Sequence, residues 1–130
     1  MSPQMPEPVP PPKPGWFGRE TWEVTAAWLT LMVAWFAWLL GVAWSHHVAA
    51  RFTVPATDVS DSLAQAGYVA ERVMPFLVTT LIADWIAALF LLSASASGRR
   101  TFGWWGAGIV WLVSVPLHGF HCCIMSIVAG

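Results

Sequence analysis

Residues 24–50 read VTAAWLTLMVAWFAWLLGVAWSHHVAA and contain no Asp, Glu, Lys or Arg. Residues 101–130 (TFGWWGAGIVWLVSVPLHGFHCCIMSIVAG) are equally free of charge, and residues 73–98 (VMPFLVTTLIADWIAALFLLSASASG) contain only Asp84. At ~1.5 Å per residue, each stretch is long enough to cross the ~30 Å hydrocarbon core of a bilayer as an α-helix. We therefore predict an all-α membrane protein with three transmembrane helices, at about residues 22–48, 72–96 and 102–128.

The composition supports this class and excludes others. Hydrophobic residues make up 57% of the chain and charged residues 10%, whereas charged residues are about 25% of a soluble domain. The net charge of -1 offers no basic cluster for phosphate, so we expect no nucleic-acid partner. The sequence also lacks HExxH, CxxCH, CxxC, GxSxG and glycine-rich phosphate motifs, which makes a non-catalytic protein more consistent with it than an enzyme.

The segments outside the spans predict two further elements. Residues 1–18 are rich in proline and should form an extended arm, followed by a transmembrane domain over residues 19–130. After the first span, Asp58 is a good N-cap, and apolar residues recur at helical spacing behind it. We predict a short periplasmic amphipathic helix there, which either lies on the membrane surface or continues into the second span.

The distribution of positive charge predicts the orientation. Lys13, Arg19, Arg99 and Arg100 fall on one side of the three-span topology, and Arg51 and Arg72 fall on the other. Because short cytoplasmic loops carry the excess of Lys and Arg, the arm is predicted to be cytoplasmic and the C-terminus periplasmic. We expect this topology in a bacterial inner or intracytoplasmic membrane.

Ten tryptophans are the most unusual feature of the composition. In the first span, three of them repeat at helical spacing and form one aromatic stripe, which is typical of packing. Because three helices bury only part of their surface against each other, we expected outward faces that meet lipid, pigment or another membrane subunit. The predicted partner-contact residues are Trp28, Trp35, Trp38, Trp104, Trp105 and Trp111.

Asp84 is the costliest residue in the predicted spans, because a carboxylate near the bilayer centre is unfavourable by ~2.5–3.5 kcal/mol on insertion scales. It should therefore face another helix. We expect either a protonated, neutral Asp84 that donates a hydrogen bond across a helix interface, or a carboxylate that relays protons. The lack of a second acid, Lys or Arg in the other two spans favours the structural role.

Four histidines are the candidate cofactor ligands. His118 and His121 share one face of the third span, and His46 and His47 end the first span in the same half of the membrane. Imidazoles from two helices are a usual way to hold a porphyrin in a bundle. The alternative for all four is a structural role in hydrogen bonding. No metal ion is specifically predicted, and contacts with bacteriochlorophyll, carotenoid, quinone or haem are compatible with the pattern.

One short segment resembles a known family. Residues 43–47 (AWSHH) resemble the Ala-x-x-x-His spacing of single-helix light-harvesting polypeptides, over these five residues alone. The resemblance implies bacteriochlorophyll ligation at His47.

Two functions remain after the sequence analysis. The first is an accessory, non-catalytic subunit of a larger energy-transducing membrane complex, either photosynthetic (reaction centre or light-harvesting) or respiratory, that stabilises assembly or shapes quinone or pigment access. The alternative is a small membrane haem- or metal-binding redox protein that uses His118 and His121 with His46 or His47.

Overall fold

The structure, a computed structural model, describes residues 2–10, 21–52 and 55–130. Over these residues it contains three α-helices and no strand: α1 (Trp22–Ala49), α2 (Val59–Ala96) and α3 (Phe102–Ala129). All three are long and apolar enough to cross a membrane. The predicted all-α architecture with three candidate spans is confirmed, and the first and third spans end within one residue of their predicted bounds.

The second helix is longer than the predicted span. α2 has 38 residues, about 57 Å at ~1.5 Å per residue, against ~30 Å of hydrocarbon. The segment after Asp58 forms the first turns of this helix, so of the two alternatives it is continuous with the second span. Helix formation continues through Pro75 in α2 and through Pro116 in α3.

A tight turn joins α2 to α3. Gly98 has a φ of 68°, which favours glycine, and the Arg99 N–H donates to the Ala94 carbonyl at 3.0 Å. This is the Schellman pattern that ends many helices. Thr101 then caps α3 by accepting a hydrogen bond from the Trp104 N–H at 3.3 Å. The turn makes α2 and α3 an antiparallel hairpin.

Buried residues, many of them small, bring the helices close together. On α1 and α2 they repeat every seven positions, the period of a left-handed helix–helix seam. The repeats are Ala27, Ala34, Gly41 and Val48 on α1, and Ala70, Leu77, Asp84 and Leu91 beside Val73, Thr80, Ala87 and Ala94 on α2. α2 packs against both other helices, and Asp84 occupies one of its seam positions.

Large indole rings fill the space between α1 and α3. The indole N–H groups of Trp28, Trp35 and Trp38 donate to the Gly103 carbonyl at 3.1 Å, Ser114 Oγ at 2.7 Å and His121 Nδ1 at 2.9 Å. The aromatic stripe predicted on α1 therefore packs within the chain.

The tryptophans of α3 divide between the interior and the surface. Trp104 and Trp111 donate to the carbonyls of Leu91 and Asp84, each at 2.9 Å. Trp105 is 56% exposed. The other five predicted contact tryptophans are half-buried, with their N–H groups bonded inside the chain, and the contact of any of the six with a partner stays a prediction. An indole ring is long enough to reach across a helix interface and place its N–H on an acceptor of the neighbouring helix.

Candidate functional site

The most polar part of the core is a pair of titratable side chains in contact. Asp84 Oδ2 of α2 lies 2.7 Å from His118 Nδ1 of α3, and each residue is only 1% exposed. Asp84 therefore faces another helix, as the cost of a lipid-exposed carboxylate predicts. The sequence patterns predicted a role for each residue separately and did not predict the pair.

The antiparallel hairpin is what brings the two residues together. Residues at similar sequence distances before and after a tight turn lie at similar depth in such a hairpin. Asp84 lies 12 residues before the end of α2 at Ala96, and His118 lies 16 residues after the start of α3 at Phe102, so their distances from the turn differ by about one helical turn. Their proximity was thus available from the sequence, but a histidine was not counted among the possible partners of Asp84.

Pairing lowers the cost of burying Asp84 in either of two protonation states. A protonated Asp84 beside a neutral imidazole and an ionised Asp84 beside a His118 imidazolium both carry no net charge. The hydrogen bond also satisfies one polar atom of each side chain, which lowers the cost of burying them. The expectation of a neutral Asp84 remains a prediction about where that proton lies.

Aromatic rings surround the imidazole. The Trp35 ring centroid lies 5.1 Å from that of His118 in an edge-to-face arrangement, and the Trp38 centroid lies 5.5 Å away. Ser114, one turn before His118, accepts from Trp35 and donates to the Val110 carbonyl at 2.7 Å. The site is therefore a small polar cluster enclosed by tryptophan.

Two buried atoms of the pair have unused hydrogen-bonding capacity. Asp84 Oδ1 and His118 Nε2 make no hydrogen bond to any residue that the structure describes. The pair can hold a proton between its bonded atoms. Within the described chain, however, no hydrogen-bonded side chain continues from either free atom, as an extended relay requires.

The other predicted histidines have different neighbours. His121 is half-buried and accepts the Trp38 N–H. His46 and His47 are exposed in the last turn of α1, where His47 Nε2 lies 3.1 Å from Arg51 Nη2 and its ring stacks at a tilt on Trp44. Residues 2–10, 21–52 and 55–130 contain no group of three or more His, Cys, Asp or Glu side chains that could hold a metal ion.

One further ionic contact was not predicted. Glu23, in the first turn of α1, has a side chain that is 7% exposed, and its Oε1 lies 3.5 Å from Arg99 Nη1. The pair joins the start of α1 to the α2–α3 turn. The contact was missed because Glu23, which directly precedes the charge-free stretch but lies within the predicted span 22–48, was not counted as an acid of that span.

Comparisons of the chain with protein-family models, curated proteins and solved structures found no match. The interpretation of the site therefore depends on its own geometry.

Proposed function

We propose that this protein is an accessory, non-catalytic subunit of a larger energy-transducing membrane complex, photosynthetic or respiratory, in a bacterial inner or intracytoplasmic membrane. In this proposal the Pro-rich arm and the α2–α3 turn are cytoplasmic, and residues 50–71 and the C-terminus are periplasmic. The subunit stabilises assembly or shapes access of quinone or pigment.

The observation that carries the proposal is the uncovered surface of α3. Only 11% of its most apolar 18-residue stretch is buried inside the chain, against 28% for α1 and 33% for α2. Exposed apolar side chains recur along one face at helical spacing. They are Phe102, Ile109, Val113, Phe120, Ile124 and Ile127.

A rigid face of this kind suits a permanent contact with another membrane subunit. Between helices in lipid, association depends on close van der Waals packing, because the hydrophobic effect does not distinguish helix from lipid. Aromatic side chains lose little rotamer freedom on docking. The partner face proposed here is thus the outward face of α3, instead of the tryptophans that the sequence analysis selected.

The polar core also supports a structural role. The Trp35, Trp38 and Trp111 N–H groups, Ser114 and the Asp84–His118 pair all bond within the core. Such internal pairing stabilises helix contacts in a membrane and fixes their register.

One observation favours the alternative of a haem or metal redox protein. Asp84 orients His118 through Nδ1, the carboxylate–histidine arrangement that commonly supports a metal-bound imidazole, and Nε2 has no partner within the described chain. Against it, His118 is buried between Trp35 and Trp38. Because Nε2 is itself buried, a flat macrocycle reaches it only after neighbouring side chains move.

The test is site-specific photo-crosslinking in native membranes. A photoreactive amino acid at Phe120, which is 69% exposed on α3, should form a discrete adduct with another protein. The control position is Met32, 65% exposed on α1, which should give mainly lipid adducts. A wild-type chain that purifies as a free monomer with a porphyrin band in its visible spectrum contradicts the proposal and supports the alternative.

A further inference from the structure

A groove runs between the C-terminal half of α2 and the N-terminal half of α3. Its volume is about 510 Å³, and four tryptophans line it: Trp85, Trp104, Trp105 and Trp111. The small residues Ala88 and Gly108 also line it, and an added Cβ at Gly108 meets no atom within 4 Å. The groove therefore exists because small residues on both helices leave space between large rings.

The groove has the length of one membrane leaflet. Its lining on α2 extends from Trp85 to Ser95, about 15 Å at ~1.5 Å per residue, which is half of the ~30 Å hydrocarbon core. At the deep end the Trp85 and Trp111 rings meet edge to face at 6.5 Å. The other end lies beside the α2–α3 turn, where the two helices leave the apolar region.

A cation lies at that open end and contacts the groove lining directly. Arg100 Nε donates to Ser95 Oγ at 3.2 Å, and its guanidinium carbon lies 5.5 Å from the centre of the Trp104 ring. Arg99 is paired with Glu23, but Arg100 has no carboxylate partner among the described residues. Its two terminal amino groups remain available for an anion, in the geometry that suits phosphate.

We propose that this groove binds an anionic glycerophospholipid of the adjacent leaflet, with one acyl chain between α2 and α3 and the phosphate on Arg100. Charge complementarity at the mouth and a leaflet-length apolar groove together define this occupant. The inference does not depend on whether a protein partner covers the outward face of α3.

Headgroup selectivity tests the cationic mouth. The full chain is purified in detergent and analysed by native mass spectrometry with added phosphatidylglycerol or phosphatidylcholine of identical acyl chains. We expect the anionic lipid to bind about fivefold more tightly, as expected for ~1 kcal/mol per cationic side chain near a membrane surface. Arg100→Gln should abolish this preference. The matched control is Arg72→Gln, because Arg72 also stacks on an aromatic ring, Tyr68 at 4.5 Å, but lies far from the groove.

Filling the groove tests the acyl-chain site. Gly108→Leu should place its side chain in the open space and reduce retention of both lipids at least tenfold. Gly119→Leu is the control on the same helix, since an added Cβ there also meets nothing within 4 Å and Gly119 does not line the groove. Melting temperatures of the two variants check that both remain folded.

Equal binding of the two lipids to the wild type, or an unchanged preference in Arg100→Gln, overturns the headgroup assignment. Wild-type lipid retention in a folded Gly108→Leu overturns the groove assignment. If Gly108→Leu does not fold, the comparison of Arg100→Gln with Arg72→Gln still decides the proposal.

Discussion

At the scale of single residues, Asp84 and His118 are best understood as one unit. Either residue alone in an apolar helix is unfavourable, whereas the two together make a hydrogen bond of 2.7 Å that satisfies a polar atom of each. The sequence analysis predicted that Asp84 faces a neighbouring helix, since lipid is the costly alternative. It did not predict His118 as the partner, because only acids, lysines and arginines were considered.

Substitution of Asp84 should separate the loss of its charge from the loss of its hydrogen bond. Asp84→Asn keeps a polar group of the same shape opposite His118 Nδ1, so we expect the free energy of unfolding to fall by less than ~1 kcal/mol. Asp84→Ala leaves a buried imidazole nitrogen unpaired, and the expected loss is ~1–3 kcal/mol. Unfolding in mixed micelles with increasing SDS measures both. Complete loss of a proton-coupled activity in Asp84→Asn, with assembly intact, contradicts the structural role and favours a relay.

The tryptophans of α1 show what the spacing of residues can and cannot predict. Helical spacing correctly placed Trp28, Trp35 and Trp38 on one face of α1. Spacing alone does not say which neighbour that face meets. The answer came from acceptors on α3, namely the Gly103 carbonyl, Ser114 and His121, whose positions depend on how the hairpin packs against α1.

At the scale of elements, the absence of charged residues predicted the bounds of α1 and α3 to within one residue. It failed at the start of α2, because hydropathy detects the apolar part of a helix but not its extension into water. The N-cap at Asp58 and the helical spacing behind it contained the missing information. Pro75 lies inside this helix, and α2 is nevertheless continuous from Val59 to Ala96.

The first turn of α2 should depend on pH through Asp58. The hydrogen bond from the Asp61 N–H, with that from Ser60, lowers the pKa of the Asp58 carboxyl. A lowered pKa in the folded state means that the cap stabilises the helix above the ordinary aspartate pKa of about 3.9 and loses this effect as pH falls through the lowered value. Hydrogen exchange of the Asp61 and Ser62 amides should therefore accelerate at low pH, relative to intrinsic rates.

Two variants at the same position control this prediction. Asp58→Asn retains a good N-cap without a titrating group, so protection should persist and become independent of pH in this range. Asp58→Ala should lose protection at every pH. If Asp58→Asn shows the same pH dependence as the wild type, another group controls this turn.

The α1–α2 contact should be sensitive to a single methyl group. A Cβ added at Gly41 lies 3.0 Å from Phe76 Cβ and 3.5 Å from Val73 Cγ1, whereas one added at Gly119 meets nothing within 4 Å. Overpacking costs ~1–3 kcal/mol, and replacing a helical glycine by alanine gains up to ~1 kcal/mol. We expect Gly41→Ala to lower the melting temperature and Gly119→Ala to leave it unchanged or raise it. Equal effects contradict the observed helix contact.

At the scale of the whole molecule, the helix hairpin and its packing on α1 define the shape, but the side of the membrane depends on charge alone. The proposed topology places Ser62 on the periplasmic side. A single cysteine there, in a chain with Cys122 and Cys123 replaced by alanine, should react with a membrane-impermeant maleimide from outside intact spheroplasts. A cysteine at Ser97 should react only after lysis. Reaction of Ser62→Cys from the cytoplasmic side alone contradicts the proposed orientation.

The Pro-rich arm is the remaining part of the proposed assembly. Residues 2–10 are exposed and lack regular secondary structure, while residues 11–18 of the predicted arm lie outside the described residues. A polyproline segment is already extended and stiff, so docking it along a partner costs less ordering entropy than docking a flexible chain. Deletion of residues 2–14 should therefore leave the three helices inserted but reduce retention in the parent complex during detergent purification.

The matched control for this deletion replaces residues 2–14 with a Gly/Ser sequence of equal length, which keeps the tether but removes its stiffness. If stiffness matters, the replacement should be retained poorly, in the same way as the deletion. Retention of the Gly/Ser chain at wild-type level means that length alone is sufficient. If the deleted chain copurifies with the complex at full stoichiometry, the arm has no role in the assembly. The outward face of α3 is then the contact that must hold the subunit in place.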